Sequence, residues 1–380
     1  MSPPRKRLRE KQPEARPGDF WLIAIPVVLT VIGLIYLYSA TYQAPDPESG
    51  AAPLLGMGRF FKLQVLWFLF GLGVYRLVSR ADFTNPPFPW TAIYLPILAL
   101  LIITIIAGHT AGGSERWINL GLLKMQPSEY AKIAFVLVLA QVFSGQGGVT
   151  GERFAGMLGL LGVTAALIVM QPDLGTAIVF FAIFSVILFL AQGGQRFLVA
   201  FLVVVMLIAV PGWFLLHDYQ RDRVLSFMNP EADIQGAGYN VYQSKIAIGS
   251  GGLTGAGLRQ GTQTQGGFVP NDHTDFIFSV VGEEGGFVGG GMVILLFALL
   301  VLRLTWAGQV AANAYQQLIA YGVSAIIFFQ AVVNIGMNMG VLPVTGIPLP
   351  FFSYGGNSLF TMYFAIGVCQ SIVRNRFRVS

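Results

Sequence analysis

Long apolar runs, separated by short polar links, occupy most of this chain. Each run has the length that spans a bilayer or falls slightly below it, and a segment surrounded by lipid satisfies its own backbone hydrogen bonds as a helix. The fourth run is short for a hydrocarbon layer of roughly 30 Å, which predicts a tilted, locally thinned or partly re-entrant helix. The pattern predicts ten transmembrane helices, at Trp21–Ala40, Phe61–Leu77, Trp90–Ala107, Tyr130–Phe143, Phe154–Met170, Thr176–Ala191, Phe197–Leu216, Phe287–Trp306, Leu318–Met337 and Phe360–Val373.

Composition supports this pattern and excludes a soluble globular protein. Of the 380 residues, 54% are hydrophobic and only 11% are charged, and the mean hydropathy is +0.66. These values are typical of helical membrane proteins. The predicted fold is an all-α, polytopic integral membrane protein with a large extracytoplasmic loop at 217–286, between helices 7 and 8. Because Cys369 is the only cysteine, a disulfide framework is excluded.

Lysine and arginine predict the orientation. With the N-terminus in the cytoplasm, fourteen of the 23 Lys and Arg residues lie on the cytoplasmic side, as the positive-inside rule requires. An even number of helices then places both termini inside. We predict a basic cytoplasmic tail at 1–20, a single membrane domain at 21–373 and a basic cytoplasmic end at 374–380. Such tails favour anionic lipid headgroups as their contact, rather than nucleic acid.

Three features of the outer side predict local structure. Tyr239–Ile248 has the spacing of an amphipathic helix lying along the interface, ended by the glycines that follow. The glycine-rich stretch Gly285–Gly291 predicts a kink before the eighth span. A charge-free stretch from Asn334 to Gly356, rich in glycine and proline, predicts broken helix, either tightly packed or forming a cavity wall.

An acidic cluster lies between these features, at Asp272, Asp275, Glu283 and Glu284. One interpretation is structural, since Asp272 or Thr274 can cap a helix that begins near Asp275. The other is chemical, since a carboxylate desolvated at the membrane edge can act as a general base. The residues alone leave both open.

Cations on the outer side suit a phosphate or pyrophosphate, which arginine binds bidentately. Solvation or lipid headgroup contact is the alternative for each of them. Lys132 differs from the others because it falls inside an apolar run one turn after Glu129, so the two can pair or face a cavity. Asp173, in a tight link, can be a turn or cap residue. The candidate cations are Arg116, Lys124, Lys132, Arg221, Arg223 and Lys245.

Six stretches, in order, resemble one family of proteins. They are Arg116–Ile118 with Gln126–Glu129 and Lys132, Gln171–Ala177, Tyr239–Gly252, Gly261–Gln263, His273–Phe276 with Glu283 and Glu284, and Pro343–Pro350 with Ser353–Gly356. Each is weak alone, but together they cover nearly the whole chain and are similar to the SEDS family (shape, elongation, division and sporulation). Val344–Pro348 resembles the elongation branch rather than the division branch. Gly285 departs from the leucine expected there, which should loosen that turn.

The resemblance implies a peptidoglycan glycosyltransferase that polymerises lipid II at the outer face of the bacterial inner membrane during elongation. It implies that Asp275 is the essential aspartate and the general base in an inverting displacement of undecaprenyl pyrophosphate. A metal-free centre and one with a divalent Mg²⁺ or Mn²⁺ ion both stay open, and metal ligands stay unknown. The predicted substrate-binding residues are Arg116, Glu129, Lys132, Arg221, Arg223, Lys245, His273 and Thr274.

The resemblance also implies partners. These are a class B penicillin-binding protein transpeptidase, other elongation-machinery proteins and membrane lipids, with no nucleic acid. Two rival functions remain at this point. A flippase for the same lipid-linked precursor would also use ten spans and a polar cavity, although charges at the midplane would be expected of it. A non-catalytic cell-wall scaffold would have no need of the loop acids.

Overall fold

The computed structural model describes residues 18–42, 58–86, 88–107, 109–111, 114–119, 124–215, 220–221, 227 and 238–376. Its helices are α1 (Trp21–Thr41), α2 (Arg59–Val78), α3 (Thr91–Ala107), α4 (Pro127–Phe143), α5 (Gly151–Met170), α6 (Leu174–Leu190), α7 (Gln195–Leu215), α8 (Tyr239–Ser250), α9 (Thr262–Gln265), α10 (Ile277–Gln309), α11 (Ala314–Asn338) and α12 (Gly356–Arg374). The predicted all-α fold is confirmed. No helix or strand is predicted between α3 and α4. A small antiparallel sheet lies there instead, with strands β1 (His109–Ala111), β2 (Ser114–Asn119) and β3 (Lys124–Met125).

A helix lies at each of the ten predicted apolar runs. Seven of these helices, α1, α2, α5, α7, α10, α11 and α12, are long and apolar enough to cross a membrane, and α3 and α6 are shorter apolar helices. The exact count of ten spans stays a prediction, as do the orientation and the division into one membrane domain with two basic tails. Residues 1–17 and 377–380, which hold most of those tails, lie outside the described residues.

The fourth predicted span, α4, can be short because it lies at the centre of the helix packing. Nearly all of α4 is buried, with Phe135 and Val138 at 0% exposure, and the helix packs against α3, α6, α11 and α12. By contrast, α7 exposes apolar residues such as Met206 and Val210. A helix enclosed by other helices need not match the thickness of the lipid by itself.

The N-terminal part of α10 contains the predicted kink. Gly286 has φ 63° and ψ −162°, a conformation that glycine adopts without a steric penalty. The loop after α8 completes the interrupted backbone bonding. The Phe287 amide after the break donates to the Gly252 carbonyl at 2.9 Å, and the Glu283 carbonyl before it accepts from the Ala256 amide at 2.9 Å. The kink is therefore compatible with burial, because the polar groups that it releases are paired again.

Candidate active site

The turn that precedes α10 is fixed through its backbone. The His273 carbonyl accepts from the Tyr354 amide at 3.0 Å, and the Thr274 carbonyl accepts from the Ser353 hydroxyl at 2.6 Å. The Asp275 carbonyl accepts from two side-chain amides of α11, at 2.9 Å each. Three successive carbonyls are thus held by other parts of the chain, so the backbone of the half-buried Asp275 is fixed in position.

Asn334 and Asn338 supply those two amide donors. Both are 0% exposed, and they lie one turn apart on the same face of α11. Asn334 Nδ2 also donates to the Ile347 carbonyl at 2.8 Å, and Asn338 Oδ1 accepts from the Ser279 amide at 3.1 Å. The sequence analysis does not single out Asn338. Two asparagines four residues apart inside an apolar run are the signal that could have found it, because buried amides require partners.

The cap predicted for α10 is wrong. The helix begins at Ile277, after Phe276, and has no side-chain cap at that residue. Neither Asp272 nor Thr274 bonds a first-turn amide: their side chains contact His273 and the Asn271 carbonyl. Instead, Asn338 of α11 accepts the Ser279 amide, so a tertiary contact takes the place of a local cap.

An aromatic group flanks the turn on its outer side. The His273 ring stacks on Phe60 with 4.8 Å between ring centroids, and Phe60 meets Tyr354 edge-on at 4.9 Å. His273 Nδ1 lies 3.3 Å from Asp272 Oδ1. Burial raises the pKa of Tyr354, the nearby Arg59 opposing this shift, so the phenol stays neutral and can donate a hydrogen bond.

The side chains of Glu283 and Glu284 bond residues outside the Asp275 turn. Glu283 is 1% exposed, and its carboxylate accepts the amides of Gln263 and Thr264 at 2.7 and 2.9 Å and two hydroxyls. It thereby holds the start of α9. Glu284 Oε1 accepts from the Ser39 hydroxyl of α1 at 2.7 Å, while its Oε2 is buried without a hydrogen-bond partner among the described residues.

Glu129 and Lys132 form the predicted ion pair. Lys132 Nζ lies 2.7 Å from Glu129 Oε1, and the two residues are 1% and 2% exposed. Glu129 Oε2 and the neighbouring Ser128 hydroxyl are buried without a hydrogen-bond partner in the described part of the chain. A buried pair of this kind is held firmly because either charge alone would be costly.

Arg116 of β2 meets Asp173 at the start of α6. Arg116 Nη1 lies 3.1 Å from Asp173 Oδ2, and the 2% exposed Asp173 caps α6 by accepting the Thr176 amide at 3.1 Å and its hydroxyl at 2.9 Å. The cap interpretation of Asp173 is confirmed, and the residue binds a candidate cation at the same time. Arg116 is therefore held in position beside the N-terminus of α6.

Lys245 lies on the helix predicted at Tyr239–Ile248, which is confirmed as α8 and ends two residues later than predicted. Its position along the membrane interface stays a prediction. The lysine is exposed, and a Cβ built on Gly340 would lie 2.8 Å from its Cδ, so its stem crosses the end of α11 closely. The adjacent Ser244 hydroxyl donates to the Asn338 carbonyl at 2.8 Å. Lys245 is thus carried by a helix tied to the residue that holds Asp275.

The remaining candidate cations stand elsewhere. Arg221 donates to the Trp213 and Phe214 carbonyls at 3.1 and 2.7 Å, in the last turn of α7, where a cation is stabilising. Arg223 lies outside the described residues. The substrate-binding role of both stays a prediction. The described residues contain no group of three or more His, Cys, Asp or Glu side chains that could hold a metal ion.

The segment between α11 and α12 joins these groups. Its Tyr354 and Ser353 hold the turn, and its Ile347 bonds Asn334. A Cβ on Gly175 of α6 would lie 2.5 Å from the Thr345 carbonyl, so the segment also packs against the helix that Asp173 caps. Cavity wall and tight packing both stay open for this stretch, since residues 341–346 are exposed or half-buried although the contact with Gly175 is close.

Comparisons with known proteins agree with this architecture. The family model named for FtsW, RodA and SpoVE, described as cell cycle protein, matches residues 20–377. This chain belongs to that family. The resemblance to SEDS proteins is thereby confirmed, and with it the polytopic membrane fold.

Three SEDS relatives are informative. The chain is 39% identical over 313 residues to the peptidoglycan glycosyltransferase MrdB of Escherichia coli strain K12, covering 81% of this chain and 85% of MrdB. The crystal structure of the rod shape determining protein RodA of Thermus thermophilus has a TM-score of 0.67 and 27% identity, covering 95% of this chain and 98% of RodA. A chain from a structure titled for the coordination of polymerization and crosslinking by a peptidoglycan synthase complex has a TM-score of 0.78 and 29% identity, covering 95% and 99%. The predicted enzyme activity is the one for which MrdB is named.

Proposed function

We propose that this SEDS protein is a peptidoglycan glycosyltransferase that polymerises lipid II into glycan strands during cell elongation. The observation that carries the proposal is the Asp275 turn, whose carbonyl and the two before it are bound by α11 and by the segment before α12. A general base must lie within hydrogen-bond reach of the proton that it removes. Fixing the turn through its backbone holds Asp275 in one position, as that requirement demands.

In the proposed reaction, the 4-hydroxyl oxygen of the acceptor sugar attacks the anomeric carbon of the donor lipid II. The bond from that carbon to undecaprenyl pyrophosphate breaks with its electron pair, and the hydroxyl proton moves to the Asp275 carboxylate. One displacement inverts the α-linked donor to a β-linked product. The step needs one base and stabilisation of the departing charge, without a covalent intermediate.

The leaving pyrophosphate requires cations, and the candidates differ in how they are engaged. Lys132 is paired with Glu129 in the interior, and Arg221 bonds the end of α7. Lys245 is exposed, and its helix is bonded to the residue that holds Asp275. We therefore assign the pyrophosphate contact first to Lys245 and second to Arg116, which is paired with Asp173. No step above uses a metal ion.

We also propose a class B penicillin-binding protein as the partner that crosslinks the product. The likeness to a chain of a peptidoglycan synthase complex supports this partner. The Lys and Arg distribution supports cytoplasmic termini and an outer location for the Asp275 turn. Polymerisation would then take place at the outer face of the inner membrane.

Cysteine labelling tests the orientation with a matched pair of exposed glutamines. Gln260 lies in the loop after α8 and Gln146 lies between α4 and α5. Gln260→Cys should react with an impermeant thiol reagent in intact cells, and Gln146→Cys should react only after lysis. The native Cys369 is fully buried and should stay silent. The reverse labelling pattern would refute the proposed topology.

The activity is tested by incubating the purified protein with lipid II, with and without its transpeptidase partner, and resolving the glycan products by gel. Glycan strands that require Asp275 support the proposal. Movement of labelled lipid II across vesicle bilayers without polymer formation would instead identify a flippase. If neither activity is found while the partner still binds, the scaffold interpretation replaces both.

A further inference from the structure

Gly285, the residue just before the α10 break, faces a side chain of α1. A Cβ built on Gly285 would overlap the Tyr36 hydroxyl, and one built on Gly289 would lie 3.3 Å from the same oxygen. The phenol therefore fills the volume that a side chain at position 285 would occupy. The expectation that glycine here loosens the turn stays a prediction.

Tyr36 also contacts the segment that holds the Asp275 turn. Its ring stacks on Phe352 with 6.2 Å between centroids, and the next residue, Ser353, donates its hydroxyl to the Thr274 carbonyl at 2.6 Å. The Tyr36 phenol thus lies between the break in α10 and the segment whose Ser353 holds the Asp275 turn. A second contact, Ser39 Oγ to Glu284 Oε1 at 2.7 Å, ties α1 to α10 one turn further out.

We propose that Tyr36 is a positioning residue for the glycosyl transfer. Its hydroxyl sets the distance between the broken helix α10 and the segment that contains Phe352. Through that distance it sets the position of Asp275. Close-packed interiors transmit displacements of this kind, because a displaced group must move its neighbours. This inference rests on the proposed function and adds a residue from a helix that carries none of the predicted site residues.

Atom positions allow the contact to be tested by removing one oxygen. If Tyr36 lost its hydroxyl, the nearest atom to a Cβ at position 285 would be the ring carbon Cζ at 3.4 Å, an ordinary contact. Gly285→Ala should therefore collide with Tyr36 and fit beside phenylalanine. We expect Gly285→Ala to lower the polymerisation rate at least about tenfold, mainly in kcat, and to lower the melting temperature. Tyr36→Phe alone should lower the rate about three- to tenfold, because the spacing loses the hydroxyl that sets it. The double variant should return to within about threefold of wild type, because the added Cβ fills the vacated volume.

Gly282 provides the matched control on the same helix. A Cβ there would lie 2.7 Å from Ile248 Cγ1 of α8, not against Tyr36. Gly282→Ala should impair the protein too, but Tyr36→Phe should not rescue that defect. Rescue confined to position 285 identifies the contact as specific.

Three outcomes would overturn the inference. Near-normal activity of Gly285→Ala would show that the phenol does not restrict this position. A double variant no better than Gly285→Ala would show that the hydroxyl is not the obstacle, and equal rescue of Gly282→Ala would show a general effect of Tyr36→Phe. Melting temperatures follow the same rescue without substrate, so an inactive wild type would refute the proposed function while leaving this contact testable.

Discussion

Asp275 and Glu283 are eight residues apart in one acidic cluster, yet the structure treats them differently. The Glu283 carboxylate is buried and accepts four hydrogen bonds at the start of α9. Around Asp275 the anchoring bonds run through main-chain carbonyls, and the residue is only half-buried. Glu283 therefore stabilises the loop at α9. Asp275 is carried on a turn that is fixed through its backbone, which suits the general-base role proposed for it.

Glu129 extends the comparison to a second buried acid. It is as buried as Glu283, but it is paired with a cation, Lys132, instead of backbone amides. Its second oxygen and the Ser128 hydroxyl have no hydrogen-bond partner within the described residues. Glu129, Asp275 and Glu283 therefore have three different environments. Each environment predicts a different kind of defect.

The largest expected effect is that of Asp275→Asn. The amide keeps the size of the side chain and leaves the clamped carbonyls in place, but it cannot accept the hydroxyl proton. Lipid II polymerisation should fall by about 10²- to 10⁴-fold, the range for loss of a general base. Protein level, melting temperature and partner binding should stay near wild type.

Gel-resolved product formation, measured with equal amounts of purified variants, checks this effect. Full polymerisation by Asp275→Asn together with inactivity of Glu283→Gln would reverse the comparison and reassign the base. Activity in both variants would make the whole acidic cluster structural.

Lys132→Ala should give the second largest effect, and it acts on stability. Removal of one partner of a buried ion pair costs about 3–5 kcal/mol, because the other charge stays buried and uncompensated. Glu129→Ala should do the same, and the double variant should lose less than the sum of the two. Melting temperatures in detergent measure the coupling, and strict additivity would show that the pair does not interact.

Much of this architecture could be predicted from local patterns. Apolar runs placed all ten helices, glycines indicated the break in α10, and a spacing of three residues indicated the Glu129–Lys132 pair. These signals depend on neighbours in sequence. They are reliable because helical periodicity and lipid exposure act on each segment separately.

Contacts between distant segments could not be predicted in this way. Asn338 holds a carbonyl 63 residues away in sequence, and Arg116 meets Asp173 across the fold. The predicted cap at Asp272 or Thr274 is wrong for the same reason, since a tertiary partner took the place of a local one. Tertiary packing decides such pairs, and neither propensity nor spacing contains it.

A smaller effect is expected for Glu283→Gln. One carboxylate oxygen becomes an amide nitrogen, which faces donors on Thr262–Thr264 and cannot accept from them. A buried donor left without an acceptor costs about 1–3 kcal/mol. The variant should melt at a lower temperature and lose activity in proportion to loop order, with recovery at low temperature. Loss of activity without loss of stability would mean that Glu283 has a chemical role rather than a structural one.

The smallest effect is predicted for Asp272→Asn, the nearest matched control for Asp275→Asn. The Asp272 carboxylate contacts His273 Nδ1 at 3.3 Å, and its side chain is 15% exposed. It caps no helix, since α10 starts after Phe276. The stack on Phe60 holds His273 independently, and the asparagine keeps an oxygen toward the ring. Because a solvent-accessible pair contributes about 0–1 kcal/mol, polymerisation should stay within about twofold of wild type. A loss comparable to that of Asp275→Asn, at unchanged melting temperature, would mean that the Asp272–His273 pair takes part in the proton transfer, and the assignment of a single base would have to be given up.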